Sequence, residues 1–319
     1  MTVTVVVVHW NQPARCADTL ATLADQGVDV EAVVVDNGSN PAELAALREV
    51  VAAAPVPVTL LEQGANTGFG PAANAGWRWW LAERTGEWSV VVPHDALPAP
   101  GCIGELVALA EAQPRAGLAC ADVGDGEIPV YDPYFGGMTI PATGTGGWEA
   151  VDYPHGTLLL ARRACLVDVG LFDERYFAYC EEADLGLRAK RGGWQVGLGR
   201  GIRVVNPTMR SGSPAVDYLM HRNTLLLVRE HSGGYHAFIR LWIALWQLAR
   251  GVVQPSSQAW MFSAEGRVWG VVDHLRGRVG APPAFLLRHA GEPPGSVPPA
   301  VPGAMSASAT EAAVPGARQ

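Results

Sequence analysis

The stretch Val3-Thr4-Val5-Val6-Val7-Val8-His9-Trp10-Asn11-Gln12-Pro13 runs almost wholly in valine, stops at polar residues and hands over to a helical pattern. The pattern returns at Ala32-Val33-Val34-Val35-Asp36-Asn37-Gly38-Ser39 and twice more downstream. Short β-branched runs bounded by turn formers predict strands over residues 3–8, 32–36, 58–61 and 89–93. Longer helical patterns fill the gaps, over residues 13–26, 41–53 and 71–84. Strands alternating with helices build a mostly parallel sheet covered by helices, an α/β fold. In the first helix Cys16, Leu20 and Leu23 recur at helical spacing and supply one buried face.

With 319 residues and 49% hydrophobic content, the chain can bury a sizeable core. Its net charge of −8 speaks against nucleic acid or acidic lipid held by a general basic field, so any anion site must be local. The five cysteines, Cys16, Cys102, Cys120, Cys165 and Cys180, are odd in number, scattered and free of CxxC spacing. Neither a zinc ribbon nor a disulfide framework is suggested, and a reducing cytoplasm fits best. Residues 3–8 are too short for a signal-peptide core, and no segment reaches the roughly 18 uncharged apolar residues of a spanning helix. The expectation is a cytoplasmic protein with no transmembrane segment, peripheral to a membrane at most.

From residue 124 to 147 the composition shifts to Gly, Pro, Thr and aromatics, as in Tyr131-Asp132-Pro133-Tyr134-Phe135-Gly136-Gly137. No period is evident, which predicts a long irregular segment able to line an acceptor site. Residues 156–161 then read as a strand, 163–169 as a short helix and 181–191 as a helix. The last opens on Glu181-Glu182-Ala183-Asp184, carboxylates that suit the positive end of a helix dipole. Past residue 214 the pattern is helical, with Phe238, Leu241, Trp242, Leu245, Leu248, Ala249 and Val252 on one face, broadened by Ile239, Ile243 and Trp246. So apolar a helix must be covered, in the simplest case by the preceding domain, otherwise by a second copy or a shallow membrane contact. The division expected is an α/β domain over 1–214, a helical extension over 215–280 and a disordered tail rich in Pro, Ala, Gly and Ser over 281–319.

In an open α/β sheet, loops leaving the carboxyl ends of the strands form the ligand crevice. Strand one ends in His9-Trp10-Asn11, strand two in Asp36-Asn37-Gly38-Ser39, and strand four in Pro93-His94-Asp95. The third is followed by Asn66-Thr67-Gly68-Phe69-Gly70-Pro71-Ala72-Ala73-Asn74. Each piece alone reads as a turn or a helix cap, since Asp and Asn bond nearby amides and Gly accepts unusual dihedrals. Together they gather amides and a carboxylate at successive strand ends, which capping does not require. No G-x-G-x-x-G follows the first strand, which argues against a dehydrogenase. Nor is His9-Trp10-Asn11-Gln12-Pro13 the Gly-rich basic loop with which nucleotidyltransferases open.

In this order the motifs resemble the family-two inverting glycosyltransferases of GT-A fold, with a nucleotide-sugar-binding domain followed here by the helical extension. The second half continues the likeness through His155-Gly156-Thr157-Leu158-Leu159-Leu160-Ala161-Arg162-Arg163, Val169-Gly170-Leu171-Phe172-Asp173-Glu174 and Tyr176-Phe177-Ala178-Tyr179-Cys180-Glu181-Glu182-Ala183-Asp184-Leu185-Gly186-Leu187-Arg188. These look like the rhamnosyltransferase-like branch of that family.

Attack of a hydroxyl on the anomeric carbon of a sugar diphosphate needs a base and a means of stabilising the departing diphosphate. The resemblance implies a dTDP- or UDP-sugar donor and an acceptor hydroxyl on a glycan or natural product. It implies Asp36 at the nucleobase, with the backbone around Asn11 and the loop at Asn66 and Gly68 framing nucleotide and sugar. His9, Asn74 and His94 complete that binding set. Asp95 would face the diphosphate, directly or through a metal, and Glu182 would be the general base, with Glu181 and Asp184 beside it. Without the resemblance the three acids are a solvated helix start, and Arg188 is a helix partner of Asp184. Two positions depart from the family pattern. Pro93-His94-Asp95 keeps only the last acid of a DXD-like motif, and Asn206 stands where relatives commonly carry a metal-associated His. Mg²⁺ or Mn²⁺ would then bind through Asp95, the diphosphate and waters. The alternative is that Arg210, His94 or His221 offset the leaving-group charge without a metal. A homodimer or a peripheral membrane contact through the C-terminal helices stays open. The competing reading is an inactive nucleotide-binding partner of the same fold, against which the retention of Glu182 and Asp95 argues.

Overall fold

Neighbouring residues of a strand point to opposite faces, so the valine run of β1 (Thr2–His9) sends Val3, Val5 and Val7 into one core and Val6 and Val8 into another. The structure, a computed structural model, describes residues 1–207, 213–254 and 262–287. β2 (Asp29–Asp36), β3 (Val58–Glu62) and β4 (Trp88–Pro93) run parallel with β1 in the order β3-β2-β1-β4. Their crossovers are α1 (Pro13–Thr22), α2 (Pro41–Ala52) and α3 (Phe69–Glu83). Cys16, Leu20 and Leu23 close the first core as their spacing predicts, together with Leu47 of α2 and the apolar face of α4 (Cys102–Glu111). The second core is built on Trp77 and Trp80 of α3, with α5 (Arg163–Val169) and α6 (Glu181–Arg191) beside them. Burying each such side chain contributes about 1.5–3 kcal/mol, and an unbroken valine strand is what serves two cores at once.

Beyond β4 the sheet turns mixed. β10 (Leu159–Arg162) lies antiparallel between β4 and β6 (Ala116–Asp122), and β11 (Gln195–Val205) runs parallel to β6. β5 (Leu97–Pro98) and β9 (Gly147–Ala150) add antiparallel pieces to β11.

Residues 124–147 are more regular than their composition predicts. β7 (Glu127–Asp132) and β8 (Gly136–Pro141) form an antiparallel hairpin off the main sheet, its turn held by Asp132 Oδ1, which accepts from the amides of Tyr134 and Phe135 at 2.7 and 2.9 Å. A ribbon largely exposed along β8 buries no continuous face, so it leaves no alternating signature.

α7 (Pro214–Val253) opens with Ser213 Oγ accepting from the Val216 amide at 3.2 Å and breaks at Gly233, whose φ is 85°. α8 (Ala264–Leu275) packs along it. α9 (Ala284–Leu287) buries Leu286 against Ala215, Tyr218 and Leu219, so the tail expected from residue 281 begins with packed residues. Residues 288–319 lie outside the described residues. A second correction concerns the apolar face after Gly233. Phe238, Trp242 and Trp246 are 56%, 58% and 60% exposed, because the helix turns Arg240, Ala244 and Gly251 inward and packs through Leu241 and Ala244 on Leu225 and Val271. The α/β domain does not cover that face. Among the described residues no helix is long and apolar enough to cross a membrane.

Candidate active site

Parallel register brings the ends of β1, β2 and β4 to one edge: His9 pairs with Asp36, and Val8 with Pro93. A cavity of about 630 Å³ opens there, within the size range of small-molecule sites. Its walls are the strand ends, the start of α3, residues 155–157, the loop leading into α6, Asn206, and Val216 and Met220 of α7. The helical extension therefore completes the cavity, while none of its wall comes from residues 124–147, the expected acceptor segment.

His9 is wholly buried. The Gln12 amide donates to its Nε2 at 3.2 Å, so Nδ1 carries the hydrogen and donates to Asp36 Oδ1 at 3.0 Å. Burial, which outweighs the pull of Asp36, lowers the imidazole pKa and favours this neutral form. The Ser39 amide takes Asp36 Oδ2 at 3.1 Å. Asp36 is thus 1% exposed with both oxygens engaged inward, and the cavity wall at this edge is Asn37 instead. Asn37 ties down the loop after β3: its Nδ2 donates to Asn66 Oδ1 and the Gly68 carbonyl, both at 3.1 Å, and its Oδ1 accepts from the Thr67 amide at 2.9 Å. Gly68 is required twice over, by its φ of 99° and because a Cβ there would sit 2.3 Å from the Phe177 carbonyl oxygen. Asn11 joins β1 to the β2 turn, its amide donating to Ser39 Oγ and its Oδ1 accepting from the Asn40 amide, both at 2.8 Å. It is Trp10, unforeseen, that reaches the cavity.

At the end of β4, His94 Nδ1 donates to the Val8 carbonyl at 3.2 Å, while its Nε2 is buried with no hydrogen-bond partner among the described residues. Burial lowers its pKa, which leaves Nε2 as a neutral acceptor on the cavity wall. Asp95 accepts from Asn206 Nδ2 at 2.9 Å, with Arg15 Nη1 3.9 Å from its other oxygen. The two positions that depart from the family pattern thus lie together. Among the described residues no three His, Cys, Asp or Glu side chains are grouped to hold a metal. One carboxylate and one amide oxygen suit a hard cation only when phosphate and water complete its shell.

The loop before α6 is strained. Phe177, Tyr179 and Cys180 have φ of 68°, 70° and 73°, and Asn11 is the only other non-glycine residue with positive φ among those described. Such conformations cost of order 1–3 kcal/mol each and persist only when their surroundings impose them. Asn223 of α7 does so: its Nδ2 lies 2.9, 2.8 and 2.8 Å from the carbonyl oxygens of Tyr176, Ala178 and Tyr179. A lone Asn within a long helix carries no sequence signal of this role. Asn223→Ala is expected to take this donor from the Ala178 and Tyr179 carbonyls, Tyr176 keeping Arg222 and the Ala178 amide, and so to lower the melting temperature by several degrees and cut turnover at least tenfold, which thermal melts and initial rates would check.

The loop delivers Glu181 and Glu182 to the cavity at the first turn of α6. Burial pushes Glu182 up to about 7, against the pull of the Glu182 and Cys180 amides. Glu181 is raised well above the carboxylate range, first by burial and then by Glu182, and its Oε2 is buried without a partner among the described residues. Of the two, Glu182 is the acid that titrates near neutrality.

Besides Asn11 and Asp36, two further expected site residues lie off the cavity wall. Asp184 points away from the cavity, its oxygens bonded to Arg188 Nε at 2.7 Å and His231 Nε2 at 2.8 Å. Burial opposes its charge, but His231 and Arg188 prevail and hold its pKa below the usual value. Helical spacing sets Asp184 about 200° around α6 from Glu182 but only one turn below Glu181, so it is the pairing with Arg188 and His231 that holds its carboxylate off the cavity. Asn74, 1% exposed, fastens α3 to the chain after α5 by accepting from the Phe172 amide at 3.0 Å and donating to its carbonyl at 2.9 Å. Among the positive groups weighed for the leaving group, His221 is buried against Asp217 and off the cavity wall, and Arg210 lies outside the described residues. The five cysteines are buried and unpaired, and burial pushes Cys16, Cys102, Cys120 and Cys165 up to about 12, so none of these four is an activated nucleophile.

Residues 4–159 match the glycosyl transferase family 2 profile. The chain is 30% identical over 221 residues to the N-acetylglucosaminyl-diphospho-decaprenol L-rhamnosyltransferase of Mycobacterium tuberculosis, a stretch that is 57% of this chain and 71% of the relative. In fold it is similar to the mannosyltransferase PcManGT from Pyrobaculum calidifontis, solved in complex with GDP-Man and Mn²⁺, with a TM-score of 0.56, 17% identity and 86% of each chain covered. It is also similar to S. aureus TarS, with a TM-score of 0.53, 15% identity, and 86% of this chain and 49% of that one covered.

Proposed function

The chain belongs to glycosyl transferase family 2 and is a glycosyltransferase, and on that premise we propose that it moves a rhamnosyl group from a dTDP- or UDP-linked donor to a hydroxyl of a lipid-diphosphate-linked glycan, inverting the anomeric centre. The activity named for the mycobacterial relative supports the choice of sugar and acceptor. The observation that carries the mechanism is Glu182, a cavity carboxylate raised to about 7, sharing one cavity with the strand-end residues His94 and Asp95. A base with that pKa is half ionised near neutrality, where proton transfer is most effective.

In this reading the nucleoside lies along Asn37, Asn66 and Gly68, while Asp36 acts from behind, fixing His9 and the Ser39 turn. The acceptor hydroxyl attacks the anomeric carbon as its proton passes to Glu182. The bond from that carbon to the diphosphate oxygen breaks, and the electron pair leaves with the nucleoside diphosphate. Burial and the neighbouring Glu182 both disfavour charge on Glu181, which limits a second negative charge beside the base. Mg²⁺ or Mn²⁺, held by Asp95 and the Asn206 amide oxygen together with the donor's phosphates, would supply charge neutralisation at the leaving group.

Chelation followed by Mg²⁺ or Mn²⁺ titration tests the last point, with a loss of at least tenfold and recovery on re-addition expected. Unchanged rates in chelator would assign the leaving-group charge to protein side chains alone. The donor is tested by thermal shift against a nucleotide-sugar panel, where stabilisation by dTDP- or UDP-sugars over GDP-sugars is expected. Product mass with a lipid-diphosphate acceptor reports the transfer itself.

A further inference from the structure

The stripe Tyr235, Phe238, Trp242, Leu245, Trp246 and Val252 is exposed along one face of α7 at helical spacing. It does not end with the helix. Tyr134, in the turn of the β7–β8 hairpin, packs on His236 at 4.9 Å between ring centroids, and Phe135 beside it is 49% exposed. Two separately folded elements thus put aromatic rings on one surface, which exceeds what scattered exposed residues explain.

Charge says what covers it. Residues 1–213 carry 14 Lys and Arg against 25 Asp and Glu, a net of −11, whereas residues 214–287 carry 7 Arg against 4 acids, a net of +3, and with Arg222, Arg240, Arg267, Asp217 and Asp273 buried the exposed charges are Arg229, Arg250, Arg276 and Arg278 against Glu230 and Glu265. From residue 231 to 264 there is no acid at all, and Arg250 lies over the exposed Trp246 ring at 5.4 Å. A second copy of the chain would not require acids to be excluded and would bring like charges together. Nor does the segment 288–319 offer a cover, since it contains no Phe, Trp, Tyr, Leu or Ile. Trp and Tyr favour the boundary between headgroups and acyl chains, and Arg favours anionic headgroups.

We propose that the aromatic face formed by α7 after Gly233 and the β7–β8 turn docks the enzyme on the interface of an anionic lipid bilayer, lying in it without crossing. α7 itself connects that face to the cavity wall at Val216 and Met220. The proposal goes beyond the transfer reaction and does not rest on it, because its test contains neither donor nor acceptor.

The full chain is sedimented with phosphatidylcholine vesicles, with and without about 30 mol% phosphatidylglycerol, at rising salt. Binding is expected to the anionic vesicles and to weaken with salt. Trp242→Ser/Trp246→Ser, and separately Tyr134→Ser/Phe135→Ser, are expected to lower the partition constant roughly tenfold or more while thermal stabilisation by dTDP or UDP is retained. Failure of the wild type to bind anionic vesicles overturns the proposal, as does equal binding by both folded variants. A wild-type dimer that both sets of substitutions dissociate would also overturn it and assign the face to a second copy.

Discussion

Replacing Glu182 by Gln is expected to lower transfer by about 10²–10⁴-fold while leaving dTDP or UDP binding intact, because the amide keeps the shape of the carboxylate and removes only its capacity to take a proton. The wild-type pH profile is the companion result. With Glu182 titrating at about 7, kcat/KM should fall tenfold per pH unit well below that value, a limb on which the Gln variant's residual rate should not depend. Stability should move in the opposite sense. The folded pKa lies above the ~4.3 of an exposed glutamate, so the proton is bound more tightly in the folded protein. Its stabilising effect is complete below that unfolded value and is lost as pH rises towards 7. Glu182→Gln should therefore melt higher than wild type at pH 8 and nearly level with it at pH 4. Equal transfer by the variant would remove Glu182 as the base, whatever the melts show.

Asp184→Ala, two residues along the same helix, should behave differently. It leaves His231 and Arg188 without their shared carboxylate in a setting where Asp184 is only 4% exposed. Breaking a buried pair from one side costs about 3–5 kcal/mol, which for a chain of this size means a melting temperature lower by roughly 10 °C. The pH sense is again specific. The folded pKa of Asp184 is depressed, so its stabilising effect is present at neutral pH and is lost as pH falls below the ~3.9 of a free aspartate. The gap between variant and wild type should close on acidification. Activity per folded molecule, measured well below the variant's melting temperature, should stay within a few-fold of wild type. A loss comparable to that of Glu182→Gln would return Asp184 to the chemistry.

The contrast between these neighbours shows how far residue patterns reach. Glu181, Glu182 and Asp184 are equivalent in sequence, as acids in a first helical turn. Periodicity located α6 at its observed bounds, because an amphipathic helix writes its period locally. Which acid meets a cavity depends on what packs against each face, and that includes distant chain such as His231, 47 residues beyond Asp184. The amides divide in the same way. Asn37 and Asn66 line the cavity, whereas Asn74 closes an internal link to Phe172, 98 residues distant. Asp36 and Asn37 exchange their expected places for a similar reason: His9, brought alongside by strand register, claims the carboxylate and turns it inward.

The alternation of valine runs and helices determined by itself the α/β sheet, its first four strands and the crevice at their carboxyl ends, since strand burial and crossover geometry follow from local period and chain connectivity. The tertiary structure alone decided that the helical extension completes the cavity, that Asn223 holds the strained loop before Glu181, and that the aromatic face after Gly233 stays open to solvent. These depend on contacts between residues far apart in the chain, and no local pattern of side chains encodes which distant surface will be there to meet them.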